Sequence, residues 1–239
     1  MNELEGQVAL VTGGSRGIGL ACVEGLARRG ATVVLLGRDA ERVEQRAHEL
    51  VSQGLDVVGH AVDVTSSEDL EVLRVRLGPL SEPDILIASA GVMSVKTAKT
   101  MRTDRVEWDR VMATNLTGVF ATLATFGPPM LQRRRGRVVV LSACLGRMSG
   151  PGTSGGLAPY RVSKAAVNAL VKNFAAEAGA GRRGVTVDAV CPGHCRTDMG
   201  GADAPRSAED GADTVLWLAT RTDTEPTGLL WEDRVVVPW

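Results

Sequence analysis

The sequence predicts an α/β protein: one doubly wound domain over residues 1–239, with a parallel sheet of about seven strands and helices on both faces. Three observations predict it. Short apolar runs alternate with longer amphipathic stretches along the whole chain, the pattern of strand–helix–strand units joined by right-handed crossovers. The short runs are continuously apolar, as strands buried on both faces require. No linker, repeat or low-complexity block interrupts the 239 residues, a length that buries a sizeable core without disulfides or metals.

The elements follow in order. Val8–Thr12 is the first strand; a glycine-rich turn leads into a helix from Ile18 to Arg29, stopped by Gly30. Thr32–Leu36 is the second strand, Ala40–Val51 a charged amphipathic helix, and Val57–Val62 the third strand. A helix over Glu68–Leu77 precedes the fourth strand, Ile85–Ala88. A long helix over Arg105–Leu131 is expected, disturbed at Gly127-Pro128-Pro129. Val138–Ser142 is the fifth strand, Pro159–Ala178 a helix with proline in its first turn, and Val185–Val190 the sixth strand. Ala208–Leu218 is the last helix and Val235–Val237 an edge strand. Ser149–Gly156 is the one markedly Gly/Ser-rich loop.

Composition narrows the function. The net charge is −1, from 27 basic and 28 acidic residues, so no global field draws nucleic acid or anionic lipid. Arg133-Arg134-Arg135 and Arg137 sit where a helix ends and complement its dipole. No apolar run approaches the ~18 residues of a membrane span, and the first residues lack a signal-peptide pattern. A cytoplasmic protein is expected, with no membrane and no nucleic-acid partner. Four scattered cysteines make no disulfide framework. Cys191, His194 and Cys195 lie together but lack a fourth ligand, so no metal is expected.

Thr12-Gly13-Gly14-Ser15-Arg16-Gly17-Ile18-Gly19 lies between the first strand and the first helix. Glycines there permit a tight turn whose N–H groups approach a pyrophosphate on the positive helix end, the signature of a Rossmann-type dinucleotide site. Gly13, Ser15, Arg16, Gly17, Ile18 and Gly19 are its expected cofactor contacts. A ribose 2′-hydroxyl is held by an acid at the second strand's tip, whereas a 2′-phosphate needs cations. Here the tip reads Leu36-Gly37-Arg38. Arg38 offers a planar fork and Arg16 can reach the same point, which favours NADP; the competing reading pairs Arg38 with Asp39 or Glu41.

The chain has one tyrosine, Tyr160, and four lysines, one of them Lys164. Four residues apart in a helix, the two share a face. A phenol with its ordinary pKa of about 10 is a poor proton donor and acceptor near neutrality, and a nearby ammonium stabilises the phenolate. The bland alternative is a tyrosine ring packed on a lysine stem.

These pieces, with Asp63-Val64 after the third strand, Ala90-Gly91 after the fourth, Asn115 in the long helix and Pro192-Gly193 with Thr197 after the sixth, resemble the short-chain dehydrogenase/reductase family over essentially the whole chain. The ending, Trp231 to Arg234 with Pro238-Trp239, and the Arg196–Gly201 stretch resemble its carbonyl-reductase-like branch. The resemblance implies that Asp63 and Val64 hold the adenine, Ala88 to Gly91 the adenosine ribose, and Pro192, Gly193 and Thr197 the nicotinamide. Tyr160 would protonate the substrate oxygen, Lys164 would bind the nicotinamide ribose and lower the Tyr160 pKa, and Asn115 would hold a water linking Lys164 to solvent. An NADPH-dependent reductase of a small ketone or aldehyde is the implied activity. Family members that do non-redox chemistry (dehydration, isomerisation or cyclisation) and non-catalytic NADP-binding proteins are the alternatives.

The sequence departs from the family pattern in three places. Ala88-Ser89-Ala90-Gly91 stands for Asn-Asn-Ala-Gly. The loop before Tyr160 is about four residues longer than the common form. The fifth strand ends Leu141-Ser142-Ala143-Cys144, so the catalytic-serine position falls on Ala143. Three arrangements compete. Ser142 can substitute if a bulge or twist turns it round; a hydroxyl of Ser149, Thr153 or Ser154 can swing in; or Tyr160 acts alone. Finally, Met112, Leu116, Val119, Phe120 and Leu123 make the long helix apolar round much of its circumference. Packing across a two-fold axis would cover that surface, so a homodimer or homotetramer is expected.

Overall fold

The computed structural model describes residues 3–239. Among them, eight strands form one sheet in the order β3-β2-β1-β4-β5-β6-β7-β8. β1 (Val8–Thr12), β2 (Thr32–Gly37), β3 (Val57–Ala61), β4 (Ile85–Ala88), β5 (Gly136–Leu141), β6 (Val185–Val190) and β7 (Leu230–Glu232) run parallel, and β8 (Val235–Val237) turns back antiparallel on β7. The chain winds outward from β1 to β3 and then crosses to β4, so the order reverses between β1 and β4. A crevice opens there beyond the carboxyl ends of the strands.

The continuous apolar strands are explained by two cores. Leu10, Leu86, Val138 and Val187 face one layer, built with α3 (Ser67–Leu77), α5 (Gly118–Phe126) and α7 (Ala158–Glu177). Their neighbours Ala9, Val11, Ile85, Ile87 and Val139 face the other, built with α1 (Gly17–Ala27), α2 (Ala40–Ser52) and α8 (Ala208–Thr220). Alternate residues point to opposite faces, so a sheet covered on both sides leaves few polar positions inside its strands, Thr186 and Asp188 on β6 being two of them.

The expected elements are present with three differences. The long helix over 105–131 is broken into α4 (Arg105–Met112), a π-helical turn over Ala113–Thr117, α5, and α6 (Pro128–Arg133). The break at Gly127-Pro128 matches the expectation; the π-turn does not, and it carries Asn115, whose amide leaves the helix to clamp another loop. β5 ends at Leu141 rather than Ser142. The sheet also gains β7, three residues long, which forms only because β6 and β8 flank it.

One buried charge fastens β7 to β6. Asp188 on β6 accepts hydrogen bonds from Trp231 Nε1 at 3.1 Å, the Leu229 N–H at 3.2 Å, Thr227 Oγ1 at 3.2 Å and Arg221 Nη2 at 3.0 Å. Arg221, just past α8, also lies against the rings of Trp217 and Trp231. Among the described residues no helix is long and apolar enough to cross a membrane, and no three His, Cys, Asp or Glu side chains group as metal ligands.

Candidate active site

The glycine turn leaves β1 and enters α1 at the switch point. A Cβ on Gly19 would lie 2.2 Å from the Gly13 carbonyl oxygen, so the turn closes only without a side chain there. Arg16 at the N-cap makes no side-chain capping bond, which leaves the first N–H groups of α1 open to an anion. Ile18 packs its side chain on Gly211 of α8, so only its backbone faces the turn.

Gly37 ends β2 beneath the turn. A Cβ there would lie 2.8 Å from Ser15 Oγ and 2.8 Å from Val43 Cγ2, so the packing itself excludes an acidic side chain at this point. Arg38 follows and makes no hydrogen bond or ion pair among the described residues. Its rival partner Asp39 is engaged elsewhere, capping α2 through the Arg42 N–H at 3.2 Å. Arg16 pairs with Asp198 at 2.8 Å, both largely exposed. Arg42 also approaches Asp198, at 3.7 Å, and lines one crevice with Ser15, Arg16 and Thr197. Arg42 is a third cation that helical patterning alone reads as a surface residue.

The remaining expected cofactor contacts are spread round the same edge. Asp63 accepts from the Thr65 N–H and hydroxyl at 2.9 and 2.8 Å, while Val64 is buried against Gly118 of α5. The Ala90 N–H donates to Thr12 Oγ1 at 3.3 Å. Gly193 takes φ +76° in the turn after β6 behind Pro192, and Thr197 touches the glycine turn, its Cγ2 3.0 Å from where a Gly17 Cβ would be.

Tyr160 and Lys164 lie one turn apart on α7, 6% and 5% exposed. Lys164 Nζ donates to the Leu141 carbonyl at 2.6 Å and stands 5.9 Å from the Tyr160 ring centre. Burial lowers the ammonium to about 8. Burial, then the neighbouring Cys191 and Cys144 thiols, pushes the Tyr160 phenol up, which keeps it protonated. The Tyr160 hydroxyl makes no hydrogen bond among the described residues, whereas its N–H donates to Ser94 Oγ at 2.9 Å.

Asn115, fully buried, accepts from the Val92 N–H at 2.8 Å and donates to the Val92 carbonyl and Ser163 Oγ, both at 3.0 Å. Both amide protons are therefore used. A Cβ on Gly91 would sit 3.5 Å from Asn115 Oδ1 and 3.8 Å from Lys164 Nζ, so the loop after β4, the π-turn and α7 meet at this glycine.

Of the three arrangements for the missing hydroxyl, the structure tells against Ser142. Ser142 continues the regular ladder, its N–H donating to the Val190 carbonyl at 2.8 Å, with no bulge to turn it. Its hydroxyl is buried and donates to Asn168 Oδ1. Thr153 bonds back to Gly150 at 2.8 Å and Ser154 is exposed. Ser149 Oγ is buried without a partner. Cys191, weighed in the sequence only as a metal ligand, and Cys144, which has no role there, lie beyond the ends of β6 and β5 and act on the Tyr160 phenol; their proximity depends on strand register, which the sequence spacing does not reveal.

Comparison with known proteins agrees with this geometry. A family model described as short chain dehydrogenase matches residues 7–208. The chain is 35% identical over 224 residues to a gluconate 5-dehydrogenase of Gluconobacter oxydans, covering 92% of this chain and 81% of that protein. It superposes with a TM-score of 0.86 and 27% identity on a 3-oxoacyl-acyl-carrier-protein reductase of Brucella melitensis with bound NAD, covering 97% of this chain and 91% of that one. It superposes with a TM-score of 0.85 and 27% identity on a putative NAD(P)-dependent gluconate 5-dehydrogenase of Beutenbergia cavernae with NADP bound at low occupancy, covering 97% and 96%. With the sheet order, the glycine turn and the Tyr160–Lys164 pair, these matches place the chain in the short-chain dehydrogenase family.

Proposed function

We propose that this protein is an NADPH-dependent oxidoreductase that reduces a ketone or aldehyde of a small organic substrate. The observation that carries the reading is the buried pair Tyr160 and Lys164 on one face of α7, set against Gly91 and Asn115. NADPH, when bound, supplies the hydride. Gly13, Ser15, Arg16, Gly17, Ile18, Gly19, Arg38, Asp63, Val64, Ala90, Gly91, Pro192, Gly193 and Thr197 would hold it. Tyr160 donates its phenolic proton to the substrate oxygen as that oxygen gains charge. Lys164 holds positive charge beside the phenolate left behind, and Asn115 fixes the Val92 peptide and the loop carrying Gly91. Ser142 serves α7 by holding Asn168, and we assign it positioning rather than contact with substrate. The names of the relatives, a gluconate dehydrogenase and a 3-oxoacyl reductase, support a secondary alcohol–ketone pair, and the carbonyl-reductase-like ending of the chain fits it.

Cofactor choice follows from Gly37 and Arg38. Arg38→Asp is expected to reverse or abolish a preference for NADPH over NADH, because it removes a cation and adds a repelling charge. The exposed Arg16–Asp198 pair is weak, of order 1 kcal/mol or less, and yields readily to a phosphate. Equal affinity of the unaltered protein for both cofactors, measured by titration, contradicts this assignment.

Ala143 favours a second reading, in which the nucleotide is retained while the site runs dehydration, isomerisation or cyclisation. A hydroxyl donor at such a position contributes about 3–4 kcal/mol to the transition state where a site is built round it. Ala143→Ser adds one to a site shaped without it, so we expect a smaller gain, about tenfold in kcat/KM for a ketone. No gain, together with turnover of a non-carbonyl substrate, supports the second reading.

Assembly is part of the proposal. Phe120 on α5 and Val162 on α7 remain 56% and 43% exposed, consistent with a homodimer or homotetramer packed through these helices. Light scattering is expected to give two or four times 25.2 kDa; a monomer at micromolar concentration contradicts it.

A further inference from the structure

We infer that Cys144 and Cys191 form an oxidisable dithiol beside Tyr160, a modification site at which a hydroperoxide is reduced and the two sulfurs are joined. Topology brings them together. β5 and β6 are paired neighbours with Leu141 opposite Val190, so Cys191 is the next residue past the last pair. Cys144 lies just beyond Ser142 in a turn that folds back, the Gly146 N–H bonding the Ala143 carbonyl at 3.0 Å. Cys144 packs against the apolar cluster that contains Cys191, and each thiol shifts the other's proton affinity; joining them requires the sulfurs to close to the ~2.05 Å of a disulfide.

The pair is asymmetric in the way such chemistry needs. Cys144 is partly exposed, whereas Cys191 is buried, 2% exposed. The neighbouring thiol pulls Cys144 down and, with burial, pushes Cys191 up; the Arg147 guanidinium also favours the Cys144 thiolate. Cys191 Sγ donates to Glu232 Oε1 at 3.4 Å, and Glu232 Oε2 lies 3.6 Å from Arg147 Nη1. Arg147 Nε is buried without a partner, one unused donor in the same cluster. The other cysteines do not compete: Cys22 is sealed in the core and pushed up to about 12 by burial, and Cys195 Sγ donates to the Pro192 carbonyl at 3.3 Å.

The chemistry balances in two steps. The Cys144 thiolate attacks the outer oxygen of a hydroperoxide; an S–O bond forms, the O–O bond breaks, and the alkoxide takes a proton from solvent to leave as alcohol. Cys144 is then a sulfenic acid. Cys191 passes its proton to Glu232 and attacks the Cys144 sulfur; an S–S bond forms, the S–O bond breaks, and hydroxide leaves, taking that proton as water. Two thiols and one hydroperoxide give one disulfide, one alcohol and one water, the sulfurs supplying both electrons. The disulfide withdraws the Cys144 thiol from Tyr160, and a resulting change in carbonyl reduction rests on the reductase reading; the disulfide itself does not.

The test is to treat the full-length reduced protein with a small excess of hydrogen peroxide, block remaining thiols, and measure intact mass and peptide map. We expect the accessible thiol count on unfolding to fall from four to two, with a Cys144–Cys191 cross-link. Cys191→Ser should stop at a sulfenic acid on Cys144, trapped by a dimedone-type reagent, and Glu232→Gln should slow cross-linking without slowing sulfenic acid formation. A count that stays at four, a cross-link between other cysteines, or sulfenic acid in the unaltered protein that never closes overturns the proposal. A mapped cross-link in a protein that never oxidises NADPH overturns only the reductase reading.

Discussion

Replacing Tyr160 with Phe is expected to lower kcat/KM for carbonyl reduction by about a thousandfold, ~4 kcal/mol in the transition state, with little change in stability. The phenol is a proton donor on this face of α7 that no internal hydrogen bond occupies, whereas the Lys164 ammonium is tied to the Leu141 carbonyl. The structure also makes the variant a clean test: the Tyr160 hydroxyl bonds to no group among the described residues, while the ring and the N–H bond to Ser94 are retained. Phe therefore removes a proton and leaves no buried partner unpaired, in contrast with most buried deletions. Steady-state rates over a ketone series with a melting curve check it. Undiminished reduction contradicts the mechanism, whatever Ala143→Ser does.

Arg221→Ala is expected to destabilise the fold by about 3–5 kcal/mol, because it leaves Asp188 as an uncompensated charge in the core. Asp188 is 1% exposed, and its other partners, Trp231, Thr227 and the Leu229 N–H, are neutral. Burial already raises the Asp188 pKa against the pull of these bonds and of Arg221. In a chain of this size such a loss lowers Tm by roughly 6–20 °C. Asp198→Ala, which breaks the exposed pair with Arg16, is the control and should cost at most about 1 kcal/mol. Equal, small losses for both variants in urea unfolding would contradict this account of how β7 is held.

What was legible in the sequence divides along physical lines. Strands β1, β2, β4 and β5 could be read because both faces are largely buried, and burial on both faces writes a mainly apolar run; β3, at the sheet edge, is only partly buried. β7 could not be read: three residues carry no period, and its existence depends on β6, β8 and the Asp188–Trp231 bond. The glycine turn and the Tyr160–Lys164 spacing were readable because local geometry demands those residues at those intervals. The π-turn at Asn115 was hidden, and the Val92 peptide that the Asn115 amide bonds is distant in sequence. Alternation sets Ser142 on the face opposite Ala143, so it serves as the catalytic hydroxyl only through a bulge or twist; its commitment to Asn168 is a tertiary fact. The Cys144–Cys191 contact is of the same kind, fixed by the β5–β6 register rather than by spacing.

The most direct test of the central claim is hydride transfer itself. The protein is incubated with NADPH carrying deuterium at the transferring position and with a panel of small ketones and aldehydes, and products are analysed by mass. The account predicts one deuterium on the carbinol carbon of at least one product, formed with matching loss of NADPH absorbance, and product formation about a thousandfold slower with Tyr160→Phe. NADPH bound at its site yet never oxidised across the panel, while another substrate is converted without deuterium transfer, would contradict it.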